Sequence, residues 1–261
     1  MSRHWHHVAH GRGRPLVLLH GIGMSHEAWS PVLEPLARER RVIAVDLAGF
    51  GQSAALPQGV APTQENLLEG LRQTLTALGV NEPVDLVGNS LGGQLALTAA
   101  REGLARTVVG LSPAGLWRGQ RSPAHTRLIL HAAHAALGRL PRLGEAAARV
   151  RLGRTLLFAL PMTSQGWRLD PDEAVKVVRT FRGAAAFDAT LAASTRFTGG
   201  ERISVPLTVA FGTRDWLLTR SCQNREGLPA HTRWLQPRGW GHVPMWDDPA
   251  AVARLILEST A

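Results

Sequence analysis

Hydrophobic residues cluster in the first part of the chain into short runs that are typical of buried strands. Three such runs, at residues 15–20, 41–46 and 83–87, each end in turn-forming residues. Between them lie two amphipathic stretches, residues 27–39 and 63–78, which suit helices packed on one face. Because strands alternate with helices, the pattern predicts right-handed βαβ crossovers and a mainly parallel sheet.

The rest of the chain divides into a purely helical block and a return to strands. From about residue 114 to residue 201 no run indicates a strand, and alanine-rich segments are cut by proline, glycine and serine. The helices predicted in this block cover residues 124–137, 145–160 and 171–182. Other predicted elements are helices over 94–101 and 249–259 and strands over 107–111, 205–211 and 232–236.

These elements predict an α/β protein with a mostly parallel central sheet of about seven to eight strands, flanked by helices. The helical block lies between two strands of that sheet. We therefore expect residues 1–113 and 202–261 to form the core and residues 114–201 to form an inserted helical cap, or lid. A chain of 261 residues is long enough to bury one sizeable core of this kind.

Charge and composition narrow the classes of protein. The net charge is +9, but the basic residues are spread along the whole chain without runs or interleaved aromatic residues, so we expect no nucleic-acid partner. No apolar run reaches the roughly 18–20 residues of a membrane span, and the N-terminus lacks a signal-peptide core. The lone cysteine, Cys222, excludes an internal disulfide and suits a reducing compartment, so we expect a cytoplasmic location.

The eleven histidines do not form a recognisable metal motif. Four of them crowd into "HWHHVAH" near the N-terminus without zinc-site spacing, and we expect that segment to be an edge strand or a disordered end. His125, His131 and His134 follow one cap helix without carboxylate or cysteine support. We therefore expect neither a metal nor another cofactor.

The strongest chemical signal is the stretch "DLVGNSLGG" at residues 85–93. Ser90 stands between Gly88 and Gly92, at the point where a predicted strand meets a predicted helix. In such a turn the flanking glycines remove side chains that would clash, and the serine is exposed above the carboxyl edge of the sheet. A plain turn does not require a strand and a helix at these two places, so the pattern favours a nucleophile.

A nucleophilic serine requires a base and an acid that orients it, and both are expected later in the chain. Asp215 follows a strand in "VAFGTRD", and His242 lies in "GWGHVPMWDDP". Asp247 and Asp248 are competing acids, although Asp248 is better explained as a helix cap. For the oxyanion we expect one donor from the N–H of Leu91 and a second from the "HGIGMS" loop, where Ile22 is the best placed residue.

Together these pieces resemble the α/β-hydrolase fold over nearly the whole chain. The matching motifs, in order, are "HGIG", "DLAGFGQS", "GNSLGG", "FGTRD" and "GHVPMWDDP". The resemblance implies a triad of Ser90, Asp215 and His242, oxyanion donors at Ile22 and Leu91, and a cap formed by the helical insert. It also leads us to expect that the short N-terminus leaves the first of the family's usual eight strands missing or vestigial.

Within that resemblance several subfamilies fit poorly. Haloalkane dehalogenases and epoxide hydrolases use aspartate where Ser90 stands, and epoxide hydrolases place tyrosines in the cap, whereas this chain has no tyrosine. Hydroxynitrile lyases rely on a lysine near the site, and the single lysine, Lys176, lies in the cap. Asn89 resembles the C–C hydrolases of meta-cleavage products, but Val243 replaces their usual tryptophan and "HGIGMS" departs from their "HGxGPG" loop.

We therefore expect a serine hydrolase that cleaves a carboxylic ester or thioester of a small to medium acyl substrate. The alternatives are a C–C bond hydrolase of the meta-cleavage-product type, a cofactor-free perhydrolase, and a non-catalytic binding protein on the same fold. The expected partner is a small-molecule acyl substrate; the sequence carries no signal for an oligomeric state. The candidate pocket residues, whose alternative role is packing of the cap on the sheet, are Asn89, Trp117, Phe158, Trp167 and Val243.

Overall fold

The computed structural model of the chain describes residues 4–159 and 162–261. Its strands are β1 His7–His10, β2 Pro15–Leu19, β3 Arg41–Val45, β4 Val84–Asn89, β5 Ala105–Leu111, β6 Leu207–Ala210 and β7 Arg233–Leu235. They form one sheet in the order β1-β3-β2-β4-β5-β6-β7. Every pair of neighbours is parallel except β1 and β3, which run antiparallel. The predicted α/β class and mostly parallel sheet are confirmed.

Ten α-helices lie in the described part of the chain. They are α1 Ser30–Ala37, α2 Gln64–Ala77, α3 Leu91–Arg101, α4 Ala124–Arg139, α5 Pro141–Arg149, α6 Arg151–Ala159, α7 Pro171–Arg182, α8 Phe187–Ala193, α9 Pro244–Asp247 and α10 Pro249–Ser259. Helix α3 packs on β4 and β5 with α2 beside it, while α1 packs against α10. Within the described residues, none of these helices has both the length and the apolar character needed to cross a bilayer.

The N-terminal histidine-rich segment supplies the edge strand of the sheet. The sequence left open whether this segment is an edge strand or a disordered end, and β1 occupies the edge beside β3. The seven strands of the described residues lie within the predicted range of seven to eight. The strands predicted from apolar runs all occur, each within about two residues of its expected ends. Strands β2 to β6 are almost wholly buried, as expected of apolar runs inside a parallel sheet, whereas β7 at the edge is partly exposed.

Two helix predictions were wrong in detail. The single helix expected over residues 27–39 is a 3₁₀ turn, His26–Trp29, followed by α1, because Ser25 caps the turn and a proline favours a new start at the beginning of α1. The helix expected over 145–160 is two helices, α5 and α6, and its expected last residue lies outside the described residues. The guanidinium of Arg154 bonds the carbonyls of Ala148 and Arg149 at the end of α5, which stabilises the break.

The amino ends of the strands converge on one buried carboxylate, Asp85. Its oxygens accept from the guanidinium groups of Arg14, Arg40 and Arg106 and from the hydroxyl of Thr107. Burial alone would raise the pKa of Asp85, but these donors and the nearby positive charges lower it below its usual range. This ion cluster ties β2, β3, β4 and β5 together at the edge opposite to the strand ends that carry the candidate chemistry.

Candidate active site

Ser90 occupies the turn between β4 and α3. Its backbone has φ 53° and ψ −114°, a left-handed conformation that residues other than glycine rarely adopt. The N–H of Ser90 donates to the carbonyl of Leu111 at 3.1 Å, and the N–H of Ala114 donates to the carbonyl of Ser90 at 2.9 Å. These bonds tie the strained turn to the end of β5, so the serine stands at the carboxyl edge of the sheet.

The two glycines that flank the serine are required by close packing of the backbone. A Cβ at Gly88 would lie 2.1 Å from the carbonyl oxygen of Gly92, and a Cβ at Gly92 would lie 2.1 Å from the carbonyl oxygen of Leu19. Both distances are far inside van der Waals contact. The spacing of glycines around Ser90 is therefore explained by how tightly α3 approaches β4 and β2.

His242 and Asp215 form a buried pair at the same edge. The Nδ1 atom of His242 lies 3.0 Å from Oδ2 of Asp215. The other carboxylate oxygen accepts from the backbone N–H groups of Leu217, at 3.1 Å, and Leu218, at 2.8 Å. Because all three donors converge on one carboxylate, the aspartate is fixed in position and the imidazole presents Nε2 away from it.

Asn89 links the nucleophile turn to the loop that carries the histidine. Its side-chain nitrogen donates to the carbonyl of His242 and to the carbonyl of Leu111. This bond brings the backbone of His242 next to the residue that precedes Ser90. Within residues 4–159 and 162–261 the Ser90 hydroxyl itself has no hydrogen-bond partner, so the serine–histidine contact is the one link of the expected triad that is not closed.

The loop after β2 lies directly against Ser90. A Cβ added at Gly21 would lie 3.3 Å from the Cβ of Ser90 and 3.2 Å from Oδ1 of Asn89. In the described part of the chain, the backbone N–H groups of Ile22 and Leu91 have no hydrogen-bond acceptor. Two unpaired amides beside a serine are the arrangement that an oxyanion hole requires.

Ser90, Ile22 and Leu91 open into one narrow cavity beneath the helices between β5 and β6. It contains about 380 Å³ of space, counting what is open to solvent. Its walls are mostly apolar, with hydroxyl groups at four points, one of which is Ser90. The lining residues are Ile22, Ser90, Leu91, Ala114, Trp117, Ser122, Thr126, Leu130, Leu191, Ser194, Leu217 and Leu218.

The expected pocket residues lie in different places. Trp117 lines the cavity that contains Ser90. Phe158 lines a separate apolar cavity under α4 and α7, and its ring packs edge-on against Trp246. Val243 is fully buried and donates its N–H to the carbonyl of Met162. Trp167 lies half-buried in the short turn Gly166–Arg168.

Asp247 has a role that sequence reasoning missed. The sequence offers it only as a competing acid, but its carboxylate accepts from the hydroxyls of Thr163, at 2.6 Å, and Ser164, at 2.9 Å. Its second oxygen accepts from the N–H of Gly241, the residue before His242, at 2.6 Å. Asp247 therefore joins the segment after α6 to the histidine loop. Asp248 caps α10 through the N–H of Ala251, as expected.

His20 is a second residue that the sequence did not single out. Its Nδ1 lies 2.7 Å from the carbonyl of Gly21, and its Nε2 accepts from the N–H of Leu47 at 2.9 Å. Because a carbonyl accepts and an amide donates, these partners assign the proton to Nδ1. Burial lowers the pKa of His20 to about 4, although the bond to Gly21 works the other way. His20 is thus neutral, and its two hydrogen bonds hold the Gly21 loop in place.

A second cluster of potential metal ligands lies near β3. The side chains of His6, His26 and Asp46 bring candidate ligand atoms within 4.8 Å of one another. Each histidine Nδ1 lies 2.9 Å from one oxygen of Asp46. The hydrogen bond to Asp46 raises the pKa of His26, while donors to Asp46 outweigh its burial and lower the pKa of that carboxyl. Both histidines are thus hydrogen-bonded to the carboxylate of Asp46.

Known proteins match this chain over most of its length. A family model described as "Alpha/beta hydrolase family" matches residues 16–255. The epoxide hydrolase EphH of Mycobacterium tuberculosis is 30% identical over 198 residues, which are 73% of this chain and 91% of that protein. The enol-lactonase from Burkholderia xenovorans LB400 has a similar solved structure, with a TM-score of 0.74, 18% identity and coverage of 97% and 95% of the two chains.

A more local similarity connects the chain to a hydrolase of a substituted hexadienoic acid. The 2-hydroxy-6-oxo-6-(2'-aminophenyl)hexa-2,4-dienoic acid hydrolase of Metapseudomonas resinovorans is 35% identical over 111 residues. That stretch is 41% of this chain and 38% of the enzyme's length. The match therefore covers well under half of that relative.

Proposed function

The chain belongs to the alpha/beta hydrolase family, and on that premise we propose that it is a serine hydrolase of carboxylic esters or thioesters with small to medium acyl groups. The observation that carries the proposal is a chain of contacts that links a cavity-lining serine to a buried histidine–aspartate pair. Ser90 lines it beside two unpaired backbone amides, and Asn89 ties the serine turn to His242. The buried Asp215 holds the imidazole of His242.

In this mechanism Ser90 attacks the substrate carbonyl and His242 takes its proton through Nε2, since Nδ1 is engaged by Asp215. The N–H groups of Ile22 and Leu91 stabilise the resulting oxyanion. Collapse breaks the bond to the leaving oxygen or sulfur, which receives the proton from His242. A water molecule then attacks the acyl-enzyme with His242 as its base. Catalytic hydrogen bonds are often long in the free enzyme, and the Ser90–His242 bond closes with substrate in place.

A second candidate reaction is hydrolysis of a C–C bond in a ring-fission product. It is favoured by the local similarity to the Metapseudomonas resinovorans hydrolase and by Asn89 in front of the serine. The same serine would attack the ketone carbonyl of such a substrate. Hydrolysis of a dienone with little turnover of esters would favour this alternative over the ester hydrolase.

Two further features of the protein follow from the same proposal. We propose that residues 114–201 act as a cap over the core formed by residues 1–113 and 202–261, because the Ser90 cavity takes Ile22 and Leu91 from one part and Leu130 and Leu191 from the other. We also propose a cytoplasmic location. It is supported by the single, buried cysteine, whose thiol pKa is raised by burial.

Labelling with a fluorophosphonate probe tests the nucleophile directly. The wild type is expected to be labelled and Ser90→Ala not to be. Ser112→Ala is a matched control, because Ser112 is also buried, has a left-handed backbone (φ 46°) and carries a hydroxyl without a partner in the described residues. Equal labelling of Ser90→Ala and wild type, or an unlabelled wild type, would overturn the proposal.

An acyl-chain panel of activated esters and thioesters, with a ring-fission dienone beside it, identifies the bond that is cleaved. Asp215→Asn is expected to reduce turnover about 10⁴-fold, because the amide no longer holds the productive tautomer of His242. The variant should still be folded. Retention of near wild-type turnover by Asp215→Asn would remove this aspartate from the mechanism.

A further inference from the structure

A large open cleft adjoins the cavity that contains Ser90. Its volume is about 1460 Å³, a figure that includes space open to bulk solvent. One wall is the chain after β5, from Trp117 to Pro123, and the other is the loop from Arg220 to Glu226, which follows Asp215 in the chain. The N–H of Asn224 donates to the carbonyl of Leu116 at 2.8 Å, so the two walls are tied together.

The cleft is strongly cationic. Its lining includes four arginines and one acidic residue, Glu226. The arginines are Arg118, Arg121, Arg220 and Arg225. Four positive charges and one negative charge leave a formal excess of three positive charges around a single concave surface. Clustered charges of one sign in a cleft raise the local concentration of ligands of the opposite sign.

Most of this positive charge is not neutralised by the protein. Arg118 and Glu226 are 3.8 Å apart but both are exposed, a geometry that contributes little. The guanidinium of Arg225 lies 4.6 Å from the centre of the Trp234 ring and leaves its charge unpaired. Among the residues that the structure describes, Arg121 and Arg220 have no carboxylate within 4.0 Å.

The cleft and the Ser90 cavity share a wall. Trp117 lines both spaces, and it is buried between them. Further along the chain, successive residues face alternate spaces: Arg121 and Pro123 line the cleft, and Ser122 between them lines the cavity. The loop after Asp215 behaves in the same way, with Leu217 and Leu218 on the cavity and Arg220 and Ser221 on the cleft.

Two buried polar atoms at this boundary lack partners. Within residues 4–159 and 162–261, neither Nε1 of Trp117 nor Oγ of Ser122 has a hydrogen-bond partner. Both residues are about 3% exposed. A buried polar group without a partner is costly, and a substrate that reaches from one space into the other can satisfy it.

We propose that the arginine-lined cleft binds an anionic leaving group, while the acyl group occupies the apolar cavity beside Ser90. The inference rests on the proposed function and names its substrate class: acyl esters or thioesters whose alcohol or thiol portion carries phosphate or carboxylate groups. The acyl carbon forms a bond to Oγ of Ser90 as its bond to the leaving oxygen or sulfur breaks. The leaving atom takes the proton that His242 removed from the serine, and water later releases the acid.

Matched substrates that differ only in charge test this assignment. Butyryl-coenzyme A and butyryl-N-acetylcysteamine share the acyl group and the thioester, but only the first carries phosphates. The butyrate esters of 4-hydroxybenzoate and of 4-hydroxybenzamide form a second pair that differs by a carboxylate. We expect kcat/KM to be about tenfold or more higher for the anionic member of at least one pair at low salt, and the preference to shrink as salt is added. The pair with the larger preference shows whether phosphate or carboxylate is the natural anion.

Variants then assign the preference to the cleft. Arg121→Gln and Arg220→Gln should each lower kcat/KM for the preferred anion about fivefold or more, mainly through KM, and leave the neutral substrate within about twofold. Glu226→Gln should raise kcat/KM for the anion. Arg254→Gln is the control, because Arg254 is an exposed arginine that lines neither space.

The failures of the two proposals are distinguishable. Turnover of charged and neutral substrates at equal rates, or an anionic preference that survives in the Arg121→Gln, Arg220→Gln double variant, would overturn the cleft assignment while the serine hydrolase stands. If the wild type turns over none of these substrates and its Ser90 is not labelled by the probe, the proposed function itself is overturned. Each variant should unfold at the same temperature as the wild type, which would show that the substitutions change substrate binding and not stability.

Discussion

The side-chain nitrogen of Asn89 donates to the carbonyl oxygen of His242 at 2.8 Å, although the two residues are 153 positions apart. The same nitrogen donates to the carbonyl of Leu111 at 3.0 Å. Asn89→Leu leaves the buried carbonyl of His242 without its donor, whereas the carbonyl of Leu111 keeps the N–H of Ser90, so about 1–3 kcal/mol of unfolding free energy is expected to be lost. Urea unfolding measures the loss, and ester turnover should fall with it because the His242 loop is no longer tied to the serine turn.

Asn66→Leu is the control for this change, since Asn66 also donates to a carbonyl, that of Ala61, but at an exposed site. Its unfolding free energy should stay within about 0.5 kcal/mol of the wild type. Equal stability of the Asn89 and Asn66 variants would show that the Asn89 bonds are not needed.

The glycines around Ser90 provide a second prediction. Gly88→Ala and Gly92→Ala each place a methyl group 2.1 Å from a backbone oxygen, so each should lower the unfolding free energy by about 3 kcal/mol or more. Gly138→Ala in α4 is the matched change, because nothing lies within 4 Å of the added atom and alanine is a better helix former. That variant should be as stable as the wild type or more stable. A similar loss in all three would point to a general effect of replacing glycine.

The pH dependence of stability should carry a signature of His20. Its pKa is about 4 in the folded protein and about 6.5 in the unfolded chain, so the unfolded state binds the extra proton between these values. Stability contributed by neutral His20 is therefore present above about pH 6.5 and is lost as pH falls towards 4, by up to about 3 kcal/mol.

Urea unfolding at a series of pH values tests the His20 prediction. His20→Gln removes the titration and should be less stable than the wild type at pH 7.5, because the bonds to Gly21 and Leu47 are disturbed. The difference between the two proteins should then shrink as pH falls from 6.5 to 4.5. His26 acts in the opposite direction, since its raised pKa adds stability that is lost at higher pH, and it is unchanged in the comparison. A constant difference would contradict the assignment.

Asp247 is expected to control the histidine loop through its carboxylate. Asp247→Asn presents an amide N–H either to the N–H of Gly241 or to the hydroxyls of Thr163 and Ser164, so one side loses its acceptor. We expect a loss of about 1–3 kcal/mol in unfolding free energy and about tenfold or more in turnover. Asp248→Asn, at the next position, should be close to neutral because asparagine also caps helices. Equal changes in unfolding free energy and turnover in the two variants would contradict this role for Asp247.

Sequence predicted the parts of the fold that depend on neighbouring residues. Apolar runs locate β2 to β6, and the strand–serine–helix pattern locates the Ser90 turn, because each signal is contained within about ten positions. The break between α5 and α6 was not predictable in this way. It depends on the guanidinium of Arg154 folding back on the carbonyls of Ala148 and Arg149, a contact that no helical periodicity encodes.

The sequence nominates candidate reactive groups, which stay predictions, but it does not reveal what surrounds them in the fold. Asp247 looked like a spare acid, since its partners Thr163 and Ser164 lie more than 80 positions away. The arginine cleft was hidden for the same reason. Its arginines come from two segments about 100 positions apart and looked like part of an evenly basic chain until the fold placed them around one space.

The left-handed backbone of Ser90 means that the residue we propose as the nucleophile is strained, and that selection for stability alone would not favour serine there. Ser90→Gly should relieve about 1–3 kcal/mol of strain against about 0.5–1 kcal/mol of extra chain entropy, and so melt at a higher temperature than Ser90→Ala. A descendant of this protein released from chemistry, and selected only to persist, would drift towards glycine at this position. If Ser90 is the nucleophile that we propose, its backbone strain is stability that the protein gives up for reactivity.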